Sequence, residues 1–117
     1  MAQFRFQDLE IGKDSIEMAS QLFCIADRLE AKKLFRFAEQ LRGAALSISN
    51  NIAEGSGSSS KKDFANFLNF AHRSIYENAN MIIIFSKCNF LPMHETTRLL
   101  DGLEILSRRI TRFQRSL

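Results

Sequence analysis

A chain of 117 residues with 45% hydrophobic and 25% charged residues has the composition of one soluble globular domain over residues 1–117, large enough to bury a core without disulfide or metal staples. No apolar run approaches the roughly 20 residues that span a bilayer, and the longest covers only residues 81–85. The formal net charge of +3 permits an anionic partner without demanding one, so the placement of the charges decides.

The opening MAQFRFQDLE lacks the apolar centre of a signal peptide, so a cytoplasmic protein is expected and export is not. Phe4, Phe6 and Leu9 alternate there, and the arm over residues 1–9 is expected to pack on a bundle face or on another subunit. Ile11, Ser15, Met18, Leu22, Ile25 and Leu29 then step by four and three, which is one face of a helix. Lys32, Lys33 and Arg36 form a basic cluster at the turn that follows.

The second helical pattern is Ala38, Leu41, Ala45, Ile48 and Ile52, with small residues in its middle. Gly43 costs a helix about 1 kcal/mol relative to Ala, so a close neighbour is expected there. Gly55 is placed to end the helix in a left-handed conformation. GSGSSS, residues 55–60, suits a short helix–helix turn. Ser60 reads as an N-cap and Asp63 as its capping-box partner. The third pattern is Phe64, Leu68, Ala71, Ile75, Asn78, Ile82 and Phe85, broken near Asn89 and Pro92. The fourth is Leu99, Leu103, Leu106, Ile110, Phe113 and Leu117. Repeats near 3.5 residues favour near-parallel packing, and short connections favour antiparallel neighbours. The expected fold is therefore all-α, an up-down-up-down antiparallel left-handed four-helix bundle.

Chemistry finds little foothold. There are two histidines, His72 and His94, with no HExxH or ExxH spacing, and no Gly-rich dinucleotide or phosphate loop. GSGSSSKK resembles a phosphate loop in composition only, because it follows a helix and lacks the GK[ST] ending. Cys24 and Cys88 form no CxxC pair and read as buried reduced thiols. No enzyme, metal or cofactor is nominated.

Two polar features carry the functional reading. The first is a stripe on the second helix, Ser47, Asn51 and Glu54, beside the apolar one. If the second and third helices form an antiparallel hairpin, positions summing to roughly 115 face each other. Arg42 then pairs with Glu77, and Ser47, Asn51 and Ser74 complete a network. This network either faces water or specifies helix register or a subunit interface. The second feature is the last helix, where Arg108, Arg109, Arg112 and Arg115 follow Glu104 with no further acidic residue. Arginine matches phosphate geometry, so these side chains are candidates for nucleic-acid binding, with Lys61 and Lys62 as further candidates. The competing reading is a solvated face whose cations complement the helix dipole.

QLRGAALSISNNIAEG over residues 40–55, KKDFANFLNFA over 61–71, SIYE over 74–77 and the opening FQDLEI together resemble the bacterial four-helix-bundle proteins encoded in intervening sequences of 23S ribosomal RNA genes. Arg73 stands where that family's pattern has Gly, and Gly12 where Trp is common. The resemblance implies a homopentamer. It also implies kinship with the accessory variability protein of diversity-generating retroelements, a basic pentameric barrel that binds nucleic acid and a reverse transcriptase. Five copies of +3 would give about +15 per assembly, making weak basic patches multivalent. The expected function is a non-enzymatic oligomer binding structured RNA or DNA. The alternative is a protein-interaction scaffold that binds partner helices and has no nucleic-acid role.

Overall fold

The computed structural model describes residues 2–117. Among them there are five helices and no strand: α1 (Arg5–Asp8), α2 (Glu10–Ala31), α3 (Phe35–Ser56), α4 (Lys61–Lys87) and α5 (Met93–Arg115). The four long helices enclose one apolar cluster. Leu22 and Leu29, Leu41 and Ile52, Leu68 and Ile82, and Leu99 and Ile110 contribute fully buried side chains from each in turn. α3 packs on α2 and on α4, and α5 packs on α4 and on α2. Arg28 near the end of α2 meets Glu95 in the first turn of α5 at 2.7 Å, while Arg109 near the end of α5 meets Asp14 near the start of α2 at 2.6 Å.

The apolar stripes are the buried faces. Every member of the first three patterns is buried, including Ser15 and Asn78, and in the fourth Leu99 through Ile110 are buried while Phe113 and Leu117 are partly so. Helix ends follow capping chemistry. Ser60 Oγ accepts from the Asp63 backbone N–H at 3.1 Å, as expected of an N-cap. The Ser60 N–H donates to Ser58 Oγ rather than to Asp63, so the reciprocal half of the capping box is replaced. Asn89 ends α4 at φ 63°, and the Phe90 N–H reaches back to Phe85 O at 2.9 Å. Lys33 ends α2 in the same way at φ 65°, with the Leu34 N–H on Leu29 O at 2.9 Å. Both are Schellman closures, which satisfy carbonyls that the helix leaves open.

The structure corrects several expectations. Gly55 does not terminate α3. It lies buried inside the helix, and a Cβ there would come within 2.7 Å of Phe67 Cβ and 2.8 Å of Phe64 Cδ1. Its role is close approach of α4, not backbone freedom. Gly43 is exposed with nothing within 4 Å of a built Cβ, so no neighbour within the chain explains it. Cys24 and Cys88 are exposed free thiols rather than buried ones. The N-terminal arm folds into the single turn α1 and packs on α2 and α3. A Cβ at Gly12 would lie 2.1 Å from Phe6 O, so the arm sits where only glycine admits it. The Arg5 guanidinium lies 5.1 Å over the Phe64 ring, tying the arm to the base of α4.

Candidate nucleic-acid interface

The arginines of α5 divide between two faces. Arg109 belongs to the α2 side, where its guanidinium donates to Asp14 at 2.6 Å and lies 3.4 Å from Glu10. The hydrogen bond to Asp14, more than its charge, makes this guanidinium hold its proton more tightly than usual. Arg109 is thus engaged in joining α5 to α2.

Arg108, Arg112 and Arg115 face the other way, as their i, i+4, i+7 spacing dictates. They line a groove of about 410 Å³ between α4 and α5 together with His72, Tyr76, Ser107 and Thr111. Arg108 pairs with Glu104 one turn back on the same helix, an exposed pair that solvent screens. Arg112 and Arg115 have no carboxylate within 4 Å among the described residues. The groove wall contributed by α4 is aromatic. The His72 and Tyr76 rings lie 5.4 Å apart with a 34° tilt, and Ser107 Oγ lies 3.3 Å from His72 Nε2 and 3.4 Å from Nδ1. The sequence offered His72 no metal-binding spacing and showed Tyr76 only within the SIYE segment. The available signal was their i, i+4 spacing on α4, opposite the arginine face of α5.

Lys61 and Lys62 occupy the first turn of α4, both exposed. Gln114 ties that region to the end of α5 by donating to Ala65 O at 2.8 Å and Asn69 Oδ1 at 2.9 Å. The lysines therefore sit at the end of the molecule where the arginine row finishes. Lys32, Lys33 and Arg36 lie at the turn between α2 and α3, the end that the Arg28–Glu95 pair ties to the start of α5, and do not extend the row.

The polar stripe resolves differently from its expectation. The proposed Arg42–Glu77 ion pair does not form. Arg42 donates instead to Asp27 at 2.6 Å and Glu30 at 2.9 Å, clamping α3 to α2, and these hydrogen bonds raise its affinity for its proton. The reason is helix face: five residues separate Arg42 from Ser47, about 140° around α3, so Arg42 turns to α2 while Ser47 turns to α4. Ser47 meets Ser74 and Ala44 meets Asn78, so facing positions sum to about 121–122, with α4 shifted over the bare Gly55. Ser47 and Ser74 share a hydroxyl hydrogen bond of 2.7 Å, and Asn51 Nδ2 donates to Ser47 O at 2.7 Å. Asn78, fully buried, donates from Nδ2 to Ala44 O at 2.9 Å and Ser74 O at 2.7 Å, leaving Oδ1 without a partner. Glu54 and Glu77 are exposed and join no hydrogen bond or ion pair among the described residues. The network is thus Ser47, Asn51, Ser74 and Asn78, a helix-to-helix register lock between α3 and α4.

Among the described residues no group of three or more His, Cys, Asp or Glu side chains is placed to hold a metal ion. No helix among them is long and apolar enough to cross a membrane. No curated protein matches the chain. The model of the family described as 23S rRNA-intervening sequence protein matches residues 7–112. That span takes in α2, α3, α4 and most of α5, with the register lock and most of the arginine groove. On that match the chain belongs to the 23S rRNA-intervening sequence protein family.

Proposed function

We propose that this chain is a non-enzymatic, cytoplasmic bacterial protein that binds RNA or DNA through the groove between α4 and α5. Its four long helices form an up-down-up-down antiparallel left-handed bundle, and copies assemble as a homopentamer. The observation that carries the binding reading is the row Arg108, Arg112 and Arg115 in one groove, two of them without a carboxylate partner. Guanidinium groups in a row fit a phosphate backbone, and assembly multiplies a modest charge per copy. The family's name records where its genes lie and assigns no ribosomal role. The family likeness and the exposed apolar side chains Phe35, Leu46, Phe70 and Ile84 on α3 and α4 support assembly.

The test is binding of the purified protein to labelled structured RNA and duplex DNA across a salt series, beside an Arg108→Ala/Arg112→Ala/Arg115→Ala variant. The slope of log K against log salt is about −0.9 per phosphate contact on duplex, so the variant's slope should flatten by up to about three contacts per engaged groove. Absence of binding at low salt would refute the reading. The second reading is a scaffold for partner helices, a reverse transcriptase among them, and the same exposed apolar groups favour it. Salt separates the two, because apolar docking responds weakly to it.

A further inference from the structure

We infer that the α4–α5 groove selects single-stranded nucleic acid, with Tyr76 as the stacking platform for an unpaired base. The inference rests on the nucleic-acid reading above and assigns its substrate class. Tyr76 is 67% exposed, against 1% for Phe64 and 3% for Phe85 on the same helix. One side of its ring has a partner, His72, at a centroid distance of 5.4 Å. The groove beside it is lined by Arg108, Arg112 and Arg115 with the hydroxyls of Ser107 and Thr111. Over the seven steps from Arg108 to Arg115 a helix rises about 10 Å, enough to follow a few consecutive phosphates of one strand.

An aromatic face at one end of a guanidinium row is of little use to a duplex, whose base faces are stacked on one another. A single strand offers both of its chemistries at once, phosphates along one side and free base faces along the other. Every base has a π face, so such a site accepts many sequences and depends on salt through its arginines.

The experiment compares one labelled oligonucleotide, as RNA and as DNA, single-stranded and annealed to its complement, at equal salt. The proteins are the unaltered chain, Tyr76→Ala, Tyr76→Phe and Arg112→Ala. The single strand is expected to bind about tenfold more tightly than the duplex. Tyr76→Ala should weaken single-strand binding about tenfold, within the range of one lost base stack, and leave duplex binding within twofold. Tyr76→Phe should retain it, and Arg112→Ala should weaken both forms. The chain has one Tyr and no Trp, so intrinsic fluorescence reports on Tyr76 alone and should be quenched by the single strand but not by the duplex. Equal or tighter duplex binding, or equal losses of both forms in Tyr76→Ala, would overturn the single-strand assignment and leave the nucleic-acid reading standing. No binding of either form would overturn both.

Discussion

Gly55 and Gly43 lie on one helix, and the structure assigns opposite signs to the same substitution at each. At Gly43 a methyl group enters open space. Gly43→Ala should therefore collect the helix-propensity difference, about 1 kcal/mol in favour of the fold. At Gly55 a methyl would stand 2.7 Å from Phe67 Cβ and 2.8 Å from the ring of Phe64, which is 1% exposed. Ordinary contact begins at 3.4 Å, so α4 must retreat by about 0.7 Å. Phe67 Cβ is fixed to the helix backbone and cannot swing aside, and Phe64 is held by Phe113 at 5.4 Å between centroids. Overpacking of this kind costs about 1–3 kcal/mol. Set against the propensity gain, Gly55→Ala should be destabilising by about 1 kcal/mol. For a domain of this size each kcal/mol moves Tm by roughly 3–6 °C. Thermal unfolding by circular dichroism, at one protein concentration because assembly would shift Tm, should show Gly43→Ala above and Gly55→Ala below the unaltered chain. A Gly55→Ala protein as stable as Gly43→Ala would refute the close approach of α4 to α3 on which the register argument stands.

Two further outcomes follow from the same packing. Ser47→Ala and Ser74→Ala, combined in a double-mutant cycle by urea unfolding, should show a coupling of about 0.5–1.5 kcal/mol for the shared hydroxyl hydrogen bond, and a coupling near zero would remove it. The hydrogen bond from Arg28 holds the Glu95 carboxyl below the usual carboxylate range. A depressed folded value adds stability that is present above the unfolded value of about 4.3 and is lost as pH falls through the folded one. Because Arg28 is 44% exposed, the contribution is small, about 0.5 kcal/mol. Glu95→Gln should lower stability by that amount at pH 7, with the difference vanishing at pH 2; a difference that persists at pH 2 would assign it to something other than the charge.

Much of the fold was legible in the sequence, because a buried helix face repeats by threes and fours. Ile11 through Leu29 and Leu99 through Ile110 proved to be the buried sides of α2 and α5. The cap at Ser60 and the stop at Asn89 were legible because few residues suit those positions. Gly55 was not, since a glycine that relaxes the backbone and a glycine that admits a neighbour look alike in one dimension. The partner of Arg42 failed for a related reason. Hairpin pairing gives a residue's level along α3 but not its face, and Arg42 faces α2, where Asp27 and Glu30 lie within reach. Within the candidate site the arginine row was readable from its spacing on α5. The aromatic wall was not, because His72 and Tyr76 gain a role only when α4 is laid beside α5. Asn78 sat in the apolar stripe as one more position, and only its backbone partners identify it as part of a lock.

The proposed function requires nucleic acid to lie in the groove between α4 and α5. Ultraviolet cross-linking of the protein to a bound oligonucleotide, followed by mass spectrometry of the cross-linked peptides, tests it most directly. Adducts are expected on peptides that carry Tyr76 and on those from the end of α5, lost when Arg112 and Arg115 are replaced by alanine. Adducts confined to α2 and α3, or unchanged by those replacements, would contradict it.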